Sequence, residues 1–258
     1  MLLAIDCGNT NTVFAVYDGD AKRGAWRIST DADRTPDEYA VWLTQLMTLG
    51  GLGVEDVDGA ILATVVPDAR FGLVGLVERY FSVAPLVVGD PSVKLGLDVI
   101  MDHPEQVGAD RLVNAIGGYV AHGGDLIIVD FGTATSFDIL DGDGNFNGSV
   151  LAPGVNLSVE ALYMAAAQLP RITVARPEFV IGKATVPAMQ SGIFWGYVDM
   201  ISGLLARIVE AEGRPKKVIA TGGLAALFAG EIKAVGAVEE DLTLNGLVEL
   251  YRRNRSGS

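Results

Sequence analysis

The sequence predicts an α/β protein built from two lobes, on three observations. Apolar strand-like runs alternate with amphipathic helical segments through much of its 258 residues. The first twenty residues recur, altered, in the middle of the chain: Leu2-Leu3-Ala4-Ile5-Asp6-Cys7-Gly8-Asn9-Thr10 aligns with Leu126-Ile127-Ile128-Val129-Asp130-Phe131-Gly132-Thr133-Ala134. Half of the residues are hydrophobic and a fifth charged, enough for a core in each half.

Each repeat reads as strand, tight polar loop, strand and turn. The second apolar runs are Val13 to Val16 and Phe137 to Leu140, and the turns are Asp18-Gly19 and Asp141-Gly142. Thr35-Pro36-Asp37-Glu38 combines an N-cap, a first-turn proline and a capping-box glutamate, and starts a helix that carries Tyr39, Trp42, Leu43, Leu46 and Met47 to Gly50-Gly51. Residues 59–66 form a buried strand halted by Pro67, residues 70–80 a helix, and Leu86 to Val88 a short strand. A polar loop, residues 102–111, leads into a helix over Leu112 to Val120. The lobe boundary falls near residue 120, giving lobes of residues 1–120 and 121–258.

Beyond the second repeat, residues 148–154 form a strand and Pro-Gly turn, followed by a helix from Leu157 to Ala167. A long helix over Ala188 to Ala211 carries Gly196 and Gly203 as candidate breaks. Val218 to Ala220 is a strand ending in Thr221-Gly222-Gly223, with a helix after it. Leu242 to Arg253 forms a terminal amphipathic helix, and the tail from Asn254 lacks periodicity and is expected to fray.

The formal net charge of −13 opposes binding to nucleic acid or to an anionic membrane surface. The one cysteine, Cys7, excludes an internal disulfide and points to a reducing, cytoplasmic setting. No uninterrupted apolar run of about 18 residues occurs, so no membrane span is expected.

Three segments carry candidate chemistry. In Asp6-Cys7-Gly8-Asn9-Thr10-Asn11-Thr12 the glycine allows close backbone approach, the amides suit phosphate oxygens, and Asp6 suits Mg²⁺ through water. A polar β-turn with a capping aspartate is the plainer alternative, and the second copy at Asp130-Phe131-Gly132-Thr133-Ala134-Thr135-Ser136 weakens it. Asp130 on its own reads as another magnesium ligand, and Thr133 and Thr135 as phosphate donors. Together the two loops suit lobes that grip one nucleotide. Gly108-Ala109-Asp110-Arg111 sets a carboxylate beside a guanidinium at a helix start, either as base and anion clamp or as a helix cap with a solvated arginine. Thr221-Gly222-Gly223 offers backbone to a flat ring such as adenine, or merely starts a helix. His103 and His122 are too few and too far apart for a metal site or triad, and neither a P-loop nor a dinucleotide-binding glycine pattern occurs.

Taken together these segments resemble the type III pantothenate kinases, bacterial enzymes of the superfamily that unites acetate and sugar kinases, heat-shock chaperones and actin. The matching pieces are Asp6 to Asn11, Thr64-Val65-Val66-Pro67, Val107 to Arg111 with Asn114, Asp130 to Thr135 and Ala152-Pro153-Gly154. They continue with Leu169-Pro170, Ile181-Gly182 with Thr185, Met189 to Gly192, Thr221 to Gly223 and Leu242 to Leu247. They run in order along almost the whole chain.

The resemblance implies two ribonuclease-H-like, actin-like ATPase lobes with mixed sheets flanked by helices, a homodimer, and ATP-dependent phosphorylation of pantothenate as the first step toward coenzyme A. It implies ATP contacts at Asp6, Cys7, Gly8, Asn9, Thr10, Asn11, Thr12, Val13 and Thr133. Asp110 is then the proton acceptor, Gly108, Ala109, Asp110, Arg111 and Thr185 touch pantothenate, and Asp130 binds a monovalent cation, K⁺ or NH₄⁺, rather than magnesium. Met101 and His103 stand where many members have Tyr and Asn, Ser136 where a threonine is usual, and Ser149 where a glycine is usual. Other readings are a kinase for another small hydroxylated acceptor and a non-catalytic nucleotide-binding regulator of the same fold.

Overall fold

Strand β1 (Leu2–Cys7) has no polar side chain before Asp6, and its first four residues after Met1 are buried. In the computed structural model, which describes residues 1–166 and 168–255, it is the centre of a five-stranded sheet. It pairs antiparallel with β2 (Asn11–Asp18), which pairs with β3 (Ala21–Ser29), and parallel with β4 (Gly59–Thr64), which pairs with β5 (Leu86–Val87).

Alternation along β1 and β2 fills both faces of this sheet. Leu3, Ile5, Cys7, Phe14 and Val16 meet Tyr39, Leu43 and Met47 of α1 (Pro36–Leu49) and Leu73, Leu76 and Val77 of α2 (Ala69–Tyr80). Leu2, Ala4, Ala15 and Tyr17 meet Val113 and Ile116 of α3 (Ala109–His122). Helix α1 starts where the capping signature puts it: the Glu38 amide donates to Thr35 Oγ1 at 3.3 Å, and the Thr35 amide to Glu38 Oε2 at 2.8 Å.

The second repeat builds the same topology again. Strand β6 (Leu126–Phe131) pairs antiparallel with β7 (Ala134–Leu140), which pairs with β8 (Phe146–Pro153). It pairs parallel with β9 (Lys217–Thr221), which pairs with β10 (Ala237–Val238). Helix α4 (Val155–Ala165) follows β8, α5 (Thr185–Glu212) is unbroken, and α6 (Ala225–Ala229) is short. Gly196 and Gly203 do not interrupt α5, because each faces open space and its backbone bonds are kept. This helix is long and apolar enough, by length and composition, to cross a membrane. Its residues Phe194, Tyr197, Val198, Ile201, Leu205 and Ile208 recur at helical spacing and fill the core against Val129, Phe131, Phe137 and Phe228.

The chain divides into two compact units, Met1–Ala121 with the residues from Asp241 onward, and His122–Glu240. The sequence reading sets lobes of 1–120 and 121–258, whereas the segment from Asp241 onward packs with the first compact unit. Helix α7 (Leu242–Arg255) buries Leu244, Leu247, Val248 and Leu250 on the β1 and β4 face of the first unit. Its end is also held, since Asn254 donates to Lys94 O and accepts from the Lys94 amide, so Asn254 and Arg255 continue the helix where fraying was expected. The expected helix end at Ala167 and the tail from Ser256 lie outside the described residues. The edge strands β3 and β10 were not anticipated, for β3 is polar and largely exposed and β10 spans two residues.

Helices α3 and α7 cross backbone against backbone. A Cβ on Gly246 would lie 2.1 Å from Val113 O, and one on Gly117 2.7 Å from Leu242 O. Gly246→Ala is therefore expected to lower stability by about 1–3 kcal/mol, as overpacking does. Gly203→Ala, on an open helix surface, is expected to raise it by roughly 0.5–1 kcal/mol. Thermal unfolding of both variants checks the pair, and an unchanged melting temperature for Gly246→Ala would rule out the tight crossing.

Candidate functional site

Both central strands deliver a carboxylate and then a glycine turn at their carboxyl ends. In the first unit Asp6 is half-buried and lies opposite Val13 on β2 and Ala63 on β4. The Gly8 amide donates to Asn11 O at 3.0 Å and closes the turn, leaving Asn9, Thr10 and Asn11 exposed. Cys7 and Thr12 turn inward. Thr12 is fully buried, its hydroxyl 2.9 Å from Thr30 Oγ1 and 3.4 Å from Cys7 Sγ, and Thr30 Oγ1 donates to Gly8 O at 2.6 Å. The side chains of Cys7 and Thr12 thus brace the loop from beneath, Val13 is half-buried in the β2 ladder, and the exposed donors are those of Asn9, Thr10 and Asn11. Thr30 escaped the sequence reading because only the pairing of Asn11 with Ser29 brings it under the turn.

Asp110 stands in the first turn of α3, at the same end of the same sheet. The Val65 amide, just past β4, donates to Cys7 O at 3.1 Å, and a Cβ on Gly108 would lie 3.4 Å from Val65 Cγ1 and 2.7 Å from Asp110 Oδ1. Gly108 is thereby the space that seats Asp110 beside the ends of β1 and β4, the end of an open α/β sheet where ligands bind. Burial pushes the Asp110 carboxyl above its ordinary pKa, opposed by the Arg111 amide, which donates to Oδ1 at 2.8 Å, and by the Arg111 charge. A half-buried carboxylate with a raised pKa at a sheet end suits a general base.

In the second unit the Gly132 amide donates to Ala134 O at 3.1 Å, the counterpart of the Gly8 turn, and Thr133 is exposed. Asp130 lies opposite Ser136 on β7 and Thr221 on β9. Gly222, at φ +90°, leaves no room for a side chain: a Cβ there would meet Asp130 Oδ1 at 2.4 Å and Phe131 N at 2.8 Å. The Thr221-Gly222 turn is therefore packed on the Asp130 carboxylate. Thr185 opens α5 and is exposed. Among the described residues no three His, Cys, Asp or Glu side chains converge as a metal centre. Single carboxylates such as Asp6 and Asp130 instead fit cations completed by phosphate, carbonyl and water oxygens.

The family model for type III pantothenate kinase matches residues 2–207. The chain belongs to that family. A type III pantothenate kinase of Paramagnetospirillum magneticum is 61% identical over 98% of both chains, and one of Rhodospirillum rubrum 59% identical over 99% of both. Among solved structures, the activator of 2-hydroxyisocaproyl-CoA dehydratase from Clostridium difficile, with bound ADPNP, aligns at a TM-score of 0.55 and 15% identity, covering 99% of this chain and 96% of that one. That likeness places the two mixed sheets in the actin-like ATPase and sugar-kinase fold. As a member of the pantothenate kinase family the chain is an enzyme of the kinase class.

The raised pKa of Asp110 has a signed consequence. Its folded pKa lies above the unfolded one, so the ionised carboxylate costs stability at neutral pH, and the cost shrinks as pH falls through the folded pKa and is gone below the unfolded one. Asp110→Asn keeps an acceptor for the Arg111 amide and is expected to melt at or above the wild-type temperature at pH 7, with the gap closing in acid. A melting temperature below wild type at pH 7 would contradict the desolvation argument.

Proposed function

We propose that this chain transfers the γ-phosphoryl group of ATP to the primary hydroxyl of pantothenate, giving 4′-phosphopantothenate, with Asp110 accepting the hydroxyl proton. The reading rests on family membership together with one observation, the half-buried carboxylate seated by Gly108 at the head of α3. Arg111 orients the acceptor, and Gly108, Ala109 and Thr185 complete its contacts. Asn9, Thr10, Asn11 and Thr133 donate to ATP from the two glycine turns, while Asp6, Gly8 and the backbone of Cys7, Thr12 and Val13 shape the first. Phosphoryl transfer runs through a loose transition state, so these residues act by positioning and by matching charge.

Magnesium held through Asp6, and K⁺ or NH₄⁺ held at Asp130, would neutralise phosphate charge when bound. The lobes proposed as functional units are residues 1–120 with α7, and 121–240. A homodimer is proposed from the family resemblance, and the exposed Phe179, Val180 and Ile181 before α5 suit such a contact.

ADP release from ATP and magnesium, measured with and without pantothenate in sodium and in potassium buffer, tests the reading. Release that requires pantothenate and rises with potassium is expected. Asp110→Asn is expected to lower turnover by about 10²–10⁴-fold and to erase the acid limb of the pH–rate profile. Folded protein without pantothenate-dependent release would overturn the kinase reaction and leave a nucleotide-binding regulator.

A further inference from the structure

The second glycine turn rests on another backbone segment. Pro153, the last residue of β8, pairs with Ala134 at the start of β7, and Gly154 follows as the N-cap of α4. Gly154 packs so closely beneath the loop that a Cβ would lie 2.1 Å from Thr133 O and 2.7 Å from Gly132 O. Its φ of −72° is open to any residue, so the glycine is there for space.

The Pro153-Gly154 segment is gripped from its other side by one side chain of α5. Tyr197, 7% exposed, places its hydroxyl 3.0 Å from Pro153 O, 3.0 Å from Gly154 O and 2.5 Å from Ser158 Oγ. A phenol has one proton, which it shares between the two carbonyls while accepting from the Ser158 hydroxyl. The Ser158 amide also donates to Gly154 O, at 3.0 Å. The Tyr197 ring packs 6.2 Å from Phe228 in the core of the unit, so the hydroxyl is held by a side chain with little freedom.

We propose that Tyr197 is a positioning residue for nucleotide binding. It fixes Pro153 and Gly154, which in turn set the height and tilt of the Gly132-Thr133 loop. A loop that donates to phosphate works only when its donors are aimed before the ligand arrives. The Gly132 and Thr133 carbonyls, pressed against Gly154, cannot rotate toward the ligand without displacing that turn. This inference rests on the reading that Thr133 contacts ATP.

Steady-state kinetics of Tyr197→Phe, Ser158→Ala and Thr133→Ala in the full chain test it. Tyr197→Phe keeps the ring and removes only the hydroxyl. Loss of a shared hydrogen bond to two carbonyls is expected to raise KM for ATP about three- to tenfold, with a smaller rise in Ser158→Ala. The KM for pantothenate is expected to stay within about twofold of wild type, which a merely structural role would not predict. Gly154→Ala, pressing a methyl on the Thr133 carbonyl, should raise KM for ATP from the loop's other side. If Thr133→Ala raises KM for ATP and Tyr197→Phe leaves it unchanged, the positioning role is overturned while the loop keeps its ligand. If neither changes it, the loop does not serve ATP, and the proposal falls with that reading.

Discussion

In both units a central strand is buried along its length and hydrogen-bonded along both edges. Strands β1 and β6 share one burial pattern, four buried residues, a half-buried aspartate and a buried sixth residue. A charged side chain cannot be afforded earlier in such a strand, because nothing there would replace its water. It appears only where the strand reaches the end of its sheet. The glycine that follows turns the chain at once, and its amide is used in closing the hairpin. What the turn leaves exposed, Asn9 to Asn11 or Thr133, is polar and short. The polar groups are thus placed at the end of the sheet by what the middle of the sheet excludes.

Glycines fix the remaining geometry through missing side chains. Gly108 makes the room in which Asp110 sits, Gly222 lets the next turn close on Asp130, and Gly154 lies against the second loop's carbonyls. At two of these places the neighbour is a carboxylate oxygen, so a methyl group would move the functional group itself. Asp110 shows the energetic side of the same arrangement. Holding a carboxylate half out of water raises its pKa and costs stability at neutral pH, and the same shift brings it nearer the range where a base works.

Much of this was legible in the sequence because it depends on local chemistry. The capping box at Thr35, the repeat of Asp-x-Gly after an apolar run, and the turn glycines act within a few residues of one another. Both the α/β class and the doubling into two units followed from them. Less legible were elements whose existence depends on a partner. Strand β3 is polar and exists because β2 needs a neighbour. Thr12, an ATP contact by the family resemblance, is buried because β3 brings Thr30 to it.

The sequence by itself determined the periodicity, the repeated turn and the carboxylates Asp6, Asp110 and Asp130, since side-chain type and spacing act along the chain. The tertiary structure decided which unit each segment joined and which polar groups were left for ligands. Helix α7 carries a terminal sequence but fills the face of β1 and β4, where its leucines found apolar area uncovered. Tyr197, an ordinary core aromatic in the sequence, acquired carbonyl partners more than forty residues away. Long-range packing chooses among faces and partners that local chemistry leaves equal, and only the folded chain brings those partners together.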